Sequence, residues 1–140
     1  MKKVVLFFCL FLIFLISNNT YCQETKISWS DNKGREFSVT APSGNFSYTM
    51  LSGDNVEYGG TYSNGSGKEV MIGNVDINYG GKYSNSPGKI IKIGDVYIEY
   101  GSQYSNAPGS VIKVGGLNIE YGGKYSNAPG KIVRTSGRVK

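Results

Sequence analysis

The sequence contains no histidine, and its only two cysteines, Cys9 and Cys22, stand near the start of the chain. Catalytic pairs of the Ser-His and Cys-His kinds need an imidazole, so this chain cannot build them. Zinc sites draw mainly on the same two residue types. We therefore predict a protein that is not an enzyme and that holds neither a metal nor another cofactor.

A long apolar run occurs only once, at residues 4–16, directly after Lys2 and Lys3. This order is typical of a secretory signal peptide, and the run is shorter than the about 20 residues of a membrane-spanning helix. We predict cleavage after Cys22, so that residues 1–22 form the signal. The exported chain then has no thiol and no membrane span, and it lies in the periplasm, at the cell surface or outside the cell.

Cys22 also suggests a lipid anchor as an alternative to cleavage. A lipidation motif needs an apolar residue three positions before the cysteine and a small residue directly before it. Asn19 and Tyr21 stand at these positions, so the sequence disfavours the anchor.

The excess of positive over negative charge is small as well. The formal net charge is +5, and Lys2 and Lys3 are lost with the signal. The basic residues that cluster are Lys131, Arg134, Arg138 and Lys140. We interpret this cluster as a solvated C-terminal strand and predict no nucleic-acid partner, since nucleic-acid binding relies on a strong positive potential.

The clearest positive signal is an internal repeat, in which four copies of 21 residues fill residues 54–137. Two tyrosine series recur with this period. The inner tyrosine series is Tyr58, Tyr79, Tyr100 and Tyr121; the outer tyrosine row is Tyr62, Tyr83, Tyr104 and Tyr125. The chain therefore divides into the signal at 1–22, capping strands at 23–53, the repeats at 54–137 and a short tail at 138–140.

Each repeat contains two strand-like runs joined by a two-residue turn of the kind Gly94-Asp95. Glycine accepts the positive φ of type I′ and II′ hairpin turns, and a two-residue turn sets the register. Ile93 then pairs with Val96, and Lys92 with Tyr97. This register places Ile91 on an aliphatic face and Ile90 on the opposite, mostly polar face.

The hexapeptide "YSNAPG" and its variants close the other end of each hairpin, because Pro-Gly suits the centre of a type II turn. We predict a bulge where the strand leaves the sheet, at Gly101 and its three equivalents. Residues 23–53 add three strands as an N-terminal cap on the same sheet, with Trp29 covering the open end of the apolar face.

The predicted fold is all-β, without a helix after the signal. About eleven strands form an antiparallel meander of 21-residue hairpin repeats, as a curled sheet, a hairpin solenoid or a small up-and-down barrel. A curled sheet or a solenoid is favoured, because an open sheet leaves its aliphatic face wet unless a partner covers it, at roughly 25 cal/mol per Å² of apolar surface.

The repeats resemble short bacterial β-hairpin repeats. The paired aromatics Tyr97 and Tyr100, followed by Gly109 and Val111-Ile112, are similar to the YD repeats of Rhs-type surface proteins. The layout is also similar to cell-wall-binding repeats, which place an aromatic strand and a turn before a glycine. The resemblance covers residues 54–137 and implies an exported β-repeat scaffold; it assigns no binding residue.

The outer tyrosine row carries the functional prediction, together with the asparagines two positions after each tyrosine: Asn64, Asn85, Asn106 and Asn127. Aromatic faces beside amides can hold sugar rings, and several weak sites add through avidity. The competing interpretation is that these rings pack over glycines and neighbouring turns. We predict a structural or adhesive module of the bacterial cell envelope, or alternatively a module that binds a glycan, the cell wall or an envelope protein.

Overall fold

In the computed structural model, residues 24–140 are described, so the predicted signal peptide and both cysteines lie outside the described residues. This part of the chain is all-β, as the sequence predicts. It contains eleven strands: β1 Thr25–Ser30, β2 Glu36–Ala41, β3 Asn45–Tyr48, β4 Val56–Tyr58, β5 Glu69–Ile72, β6 Val75–Tyr79, β7 Ile90–Ile93, β8 Val96–Tyr100, β9 Val111–Val114, β10 Leu117–Tyr121 and β11 Ile132–Ser136. None of residues 24–140 belongs to a helix that could cross a membrane.

The strands form two antiparallel sheets. The repeats build one open sheet of eight strands, in which β4 to β11 follow the order of the chain. Strands β1, β2 and β3 form a separate three-stranded sheet. The prediction that the capping strands of residues 23–53 belong to the same sheet as the repeats is therefore wrong.

The smaller sheet covers the aliphatic face of the larger one, and a single core lies between them. The two layers also touch through the backbone, because the Val111 N–H donates to the Pro42 carbonyl at 3.1 Å. Trp29 is buried in this core beside Phe37, with ring centroids 6.3 Å apart. The repeat sheet therefore keeps its apolar face dry without closing on itself, because a second layer covers it.

The two-residue turns adopt the predicted register. Ile93 pairs with Val96 and Lys92 with Tyr97 across the turn at Gly94. Gly94 has a φ of 54°, whereas no residue other than glycine has a positive φ in residues 24–140. The turn is therefore type II′, because type I′ would require positive φ at Asp95 as well.

A β-bulge in the repeat strands changes which residue faces the core. The register between β8 and β9 shifts between Glu99 and Tyr100, so that Tyr100 pairs with Val111. The equivalent shift between β6 and β7 pairs Tyr79 with Ile90. Ile90 is consequently buried, and the prediction that it lies on the polar face is wrong. The shift falls one residue before the glycine where the sequence predicts it.

The repeat array ends at Ser136. This residue occupies the position that the turn glycine Gly115 holds one repeat earlier, and it lies within β11. The chain instead folds back at Gly137, whose φ is 90°, and the Gly116 N–H donates to the Val139 carbonyl at 3.3 Å. Residues 137–140 therefore lie against the last two-residue turn, not beside β11.

Candidate functional site

Four ten-residue segments form the loops between repeat strands, and we call them the repeat loops: 59–68, 80–89, 101–110 and 122–131. Two hydrogen bonds close each loop at its base. In the second loop, Gly80 N–H donates to the Lys89 carbonyl at 2.8 Å, and Gly88 N–H donates to the Gly80 carbonyl at 2.9 Å. The Pro-Gly turn is type II as predicted, because Gly88 has a φ of 66° and Lys89 N–H donates to the Ser86 carbonyl at 3.2 Å.

A second turn inside each repeat loop raises the outer tyrosine to the tip. In the second loop, the Ser84 N–H and the Ser84 hydroxyl both donate to the Gly81 carbonyl, at 3.0 and 2.8 Å. The same serine pattern recurs in the other three loops. Tyr83 lies between the two bonded residues, so the backbone that carries its ring is held on both sides.

The four rings of the outer tyrosine row are exposed to solvent. The least exposed of them, Tyr104, has 89% of its surface accessible. The alternative that these rings pack over glycines and neighbouring turns is therefore wrong. Each ring stands at the same position of its loop, so the row runs along one edge of the repeat sheet.

The four asparagines are also exposed, and two of them lie between consecutive loops. A Cβ added to Gly81 would stand 3.5 Å from Asn64 Nδ2, and one added to Gly123 would stand 3.2 Å from Asn106 Oδ1. These amides therefore reach the neighbouring loop while their polar groups stay accessible to a ligand.

Lysines accompany two of the exposed rings. Lys82 Nζ lies 5.6 Å from the centroid of Tyr83, and Lys124 Nζ lies 5.5 Å from that of Tyr125. The equivalent positions in the other two loops hold Thr61 and Gln103. Every second loop therefore presents a cation beside its aromatic ring.

A different set of lysines links consecutive repeats, and the sequence interpretation missed it. Lys68 Nζ donates to the Gly88 carbonyl at 2.6 Å and lies 5.1 Å from the ring centroid of Tyr79. One repeat later, Lys89 Nζ donates to the Gly109 carbonyl and lies 4.8 Å from the ring of Tyr100. The signal that could have revealed these links is the lysine that follows Ser66-Gly67 and Pro87-Gly88 at the end of the first two repeat loops.

The inner tyrosines Tyr79, Tyr100 and Tyr121 are buried, and their hydroxyls join neighbouring strands. Tyr100 donates to the Ile90 carbonyl at 2.9 Å. Tyr79 donates to the Glu69 carbonyl at 2.9 Å. Burial raises the pKa of Tyr100 to about 12, and burial together with the negative charge of Glu69 raises the pKa of Tyr79 to about 12.

We expect alkali to unfold the protein through these buried hydroxyls. The unfolded pKa of tyrosine is about 10 and the folded pKa of Tyr100 is about 12, so this contribution is complete below pH 10 and is lost as pH rises through 12. Tyr100→Phe should lower the unfolding free energy by about 1 kcal/mol at neutral pH and weaken this alkaline loss. Urea unfolding at several pH values measures both effects, and Tyr97→Phe, on the exposed face, serves as the control.

The opposite edge of the sheets carries a buried cation. The Arg35 side chain is 1% exposed; its Nε lies 2.7 Å from Asp31 Oδ2, and its Nη1 lies 3.2 Å from Asp54 Oδ1. Arg35 also donates to Asn74 Oδ1. Burial acts to raise the pKa of Asp31, but the hydrogen bonds from Arg35 and Lys33 outweigh it and leave that pKa lowered. Arg35 therefore ties the three-stranded sheet to the first repeat.

In the described part of the chain, clefts open between the two sheets. One, of about 420 Å³, opens at the two-residue turns beside Arg35 and Trp29. Another, of about 330 Å³, lies at the repeat-loop edge beneath β3, where Phe46 and Tyr48 face Lys68. Every buried side-chain nitrogen or oxygen in the described residues has a hydrogen-bond partner.

The surface along the outer tyrosine row is chemically mixed. The row combines exposed aromatic faces, amides and two cations. Residues 24–140 contain no group of three or more acidic, histidine or cysteine side chains placed to hold a metal ion. No protein-family model matches the chain, and no curated protein and no solved structure is significantly similar to it.

Proposed function

We propose that the chain is an exported, non-catalytic adhesive module of the bacterial cell envelope that binds a glycan along the outer tyrosine row. One observation carries this proposal: four tyrosines at equivalent positions are almost fully exposed. Exposed apolar surface in a regular arrangement marks a site of interaction, because folding alone gains nothing by leaving such rings in water.

The row is prepared for binding before a ligand arrives. The two turns and two base hydrogen bonds of each repeat loop hold the tyrosine backbone, so little ordering is required when a ligand binds. A sugar ring can lie on each aromatic face, and the neighbouring Asn85 or Asn106 amide can bond its hydroxyl groups. The two lysines beside Tyr83 and Tyr125 suit a glycan that carries acidic groups.

The repeat spacing favours an extended ligand. Successive repeats are two strands apart, which is about 9.6 Å along the sheet for strands about 4.8 Å apart. A disaccharide unit of a linear polysaccharide has a comparable length, so consecutive units can meet consecutive loops. Each contact is weak, but linked contacts raise the overall affinity by about 10²–10⁴-fold.

We expect the triple variant Tyr83→Ala/Tyr104→Ala/Tyr125→Ala to bind an immobilised glycan at least about 100-fold more weakly, because avidity is lost with the rings. Binding of the purified protein to an array of neutral and acidic glycans identifies the ligand and measures the change. Tyr97→Ala, which removes an exposed tyrosine from the sheet face, should leave binding unchanged.

Circular dichroism and urea unfolding separate binding from folding in these variants. A triple variant that folds normally and binds as the wild type does would refute the proposed site. A triple variant that unfolds would instead show that the row has a structural role. An array on which no glycan is bound would exclude glycans as the ligand class.

A further inference from the structure

The repeat sheet has two open edges in the described residues. β4 pairs only with β5, and β11 pairs only with β10. The Asn55 carbonyl accepts the Gly73 N–H, so Val56, the next residue, directs its N–H and carbonyl away from β5. Open edges of this kind can pair with a strand of another chain.

The two edges are different kinds of strand. Strands that follow a repeat loop (β5, β7, β9 and β11) alternate with strands that precede one (β4, β6, β8 and β10). The chain joins the first kind to the second three times through a two-residue turn, with the same register each time. β11 is of the first kind and β4 is of the second.

We propose that β11 of one copy pairs with β4 of a second copy, which continues the repeat sheet from molecule to molecule. Because β11 and β4 are the repeat equivalents of β7 and β8, the register in which Ile93 pairs with Val96 and Lys92 with Tyr97 can be applied to the pairing of β11 with β4. It places Arg134 of one copy opposite Asn55 of the next. The following pair is then Val133 and Val56.

The charges of the two edges support this pairing. β11 and the residues around it carry Lys131, Arg134 and Arg138 and no acidic residue, whereas β4 carries Glu57 and no basic residue. In the transferred register Arg134 lies diagonal to Glu57 on the exposed face, within reach of a long side chain. Charged edges commonly prevent strand pairing. Here they repel a like edge and attract the unlike one.

Apolar side chains lie exposed where the second copy would dock. Val133 on β11 is 54% exposed. Met50 and Leu51, in the segment that leads into β4, are exposed as well. The Asp54 N–H donates to the Leu51 carbonyl, which holds Leu51 beside the start of β4. Pairing of the two edges therefore covers apolar surface on both copies.

The contact is heterologous, because it joins two different edges. Such a contact generates an open chain of molecules unless its rotation closes a ring. The paired strands are short, so we expect a weak association that grows with concentration. In a continuous sheet, the outer tyrosine rows of successive molecules would follow one another.

Sedimentation velocity over a concentration series of the purified protein tests this proposal. We expect the average mass to rise steadily beyond that of a dimer. Arg134→Glu and Glu57→Arg should each abolish the rise, because each places like charges at the diagonal positions 134 and 57. An equimolar mixture of these two variants should restore it, since unlike edges are then available again. Lys82→Glu, the same charge change at a loop tip, should have no effect.

Val56→Pro provides a second test that does not depend on charge. Proline removes the outward N–H of β4 and leaves its pairing with β5 in place, so the variant should fold and stay monomeric. A wild-type protein that is monomeric at every concentration would overturn the proposal. So would association that stops at a dimer, or association that survives in both Arg134→Glu and Val56→Pro, because the contact would then lie at β1, β3 or another surface.

Discussion

Arg35→Ala is expected to lower the unfolding free energy by roughly 3–5 kcal/mol, the usual effect of removing one partner from a buried ion pair. The guanidinium bonds Asp31 and Asp54 at once, and these carboxylates belong to the turn after β1 and the segment before β4. Alanine would leave both without their cation. Equilibrium urea unfolding of the purified variant measures the loss.

Arg35→Lys should recover only a small part of this loss. The planar guanidinium of Arg35 donates hydrogen bonds to four acceptors. These are the two carboxylates, the Asn74 side-chain oxygen and, at 3.4 Å, the Ile72 carbonyl. An ammonium group cannot reproduce that fork. Lys33→Ala, in the same turn but exposed, should change the unfolding free energy by no more than about 0.5 kcal/mol. An Arg35→Ala variant as stable as the wild type would contradict the assigned role.

Acid provides an independent readout of the same cluster. The folded pKa of Asp31 lies below its ordinary value of 3.8, so this residue contributes stability above pH 3.8 that is lost as pH falls through the folded pKa. The loss of stability in acid should shrink in Arg35→Ala, because the hydrogen bonds that lower this pKa are gone.

Gly101→Ala is the second substitution for which we expect a large effect, roughly 3 kcal/mol of lost unfolding free energy. An added Cβ would stand 2.2 Å from the Ala107 carbonyl oxygen. That oxygen accepts the Ser110 N–H in the Pro-Gly turn, so it cannot move without opening the turn. Gly101 also accepts the Gly109 N–H at the base of the loop, and this bond would be strained as well.

Gly60→Ala is the matched control, since Gly60 is the second glycine of the equivalent pair in the first repeat loop. No heavy atom lies within 4 Å of a Cβ added there. We expect its unfolding free energy to stay within about 0.5 kcal/mol of the wild type. Equal effects of Gly101→Ala and Gly60→Ala would show that lost chain flexibility, not the close backbone approach, governs the result.

The local structure of the repeats was predictable because short-range rules determine it. Glycine at Gly94 specifies a two-residue turn, and that turn sets the pairing of Ile93 with Val96. Pro108-Gly109 specifies the type II turn in the same way. These features depend on the backbone preferences of two or three consecutive residues, so the sequence contains all the information they need.

The bulge opposite Tyr100 was harder to locate. The glycine after Tyr100 indicates a β-bulge, but it does not indicate at which of two adjacent residues the register shifts. The structure has the shift before Tyr100, which directs the Tyr100 ring into the core and its hydroxyl to the Ile90 carbonyl. Burial of an aromatic ring with a satisfied hydroxyl therefore decided the register.

The sequence identifies the residues of the outer tyrosine row but not their exposure. The 21-residue period identifies the outer tyrosine row, yet Tyr100 and Tyr104 are both tyrosines of the same repeat. Tyr100 is 7% exposed and Tyr104 is 89% exposed. Tyr58 shows that repeat position alone does not decide burial, because it occupies the Tyr100 position on edge strand β4 and is exposed.

The sequence by itself determined the strands, the two alternating turns and the period that aligns the tyrosines, because each follows from local backbone chemistry and repetition. The tertiary structure alone decided that β1, β2 and β3 form a second layer and that Arg35 joins it to the repeats. It also decided which tyrosines face solvent. These outcomes depend on contacts between residues far apart in the chain, and the packing of one apolar face against another selects among arrangements that local preferences leave equal.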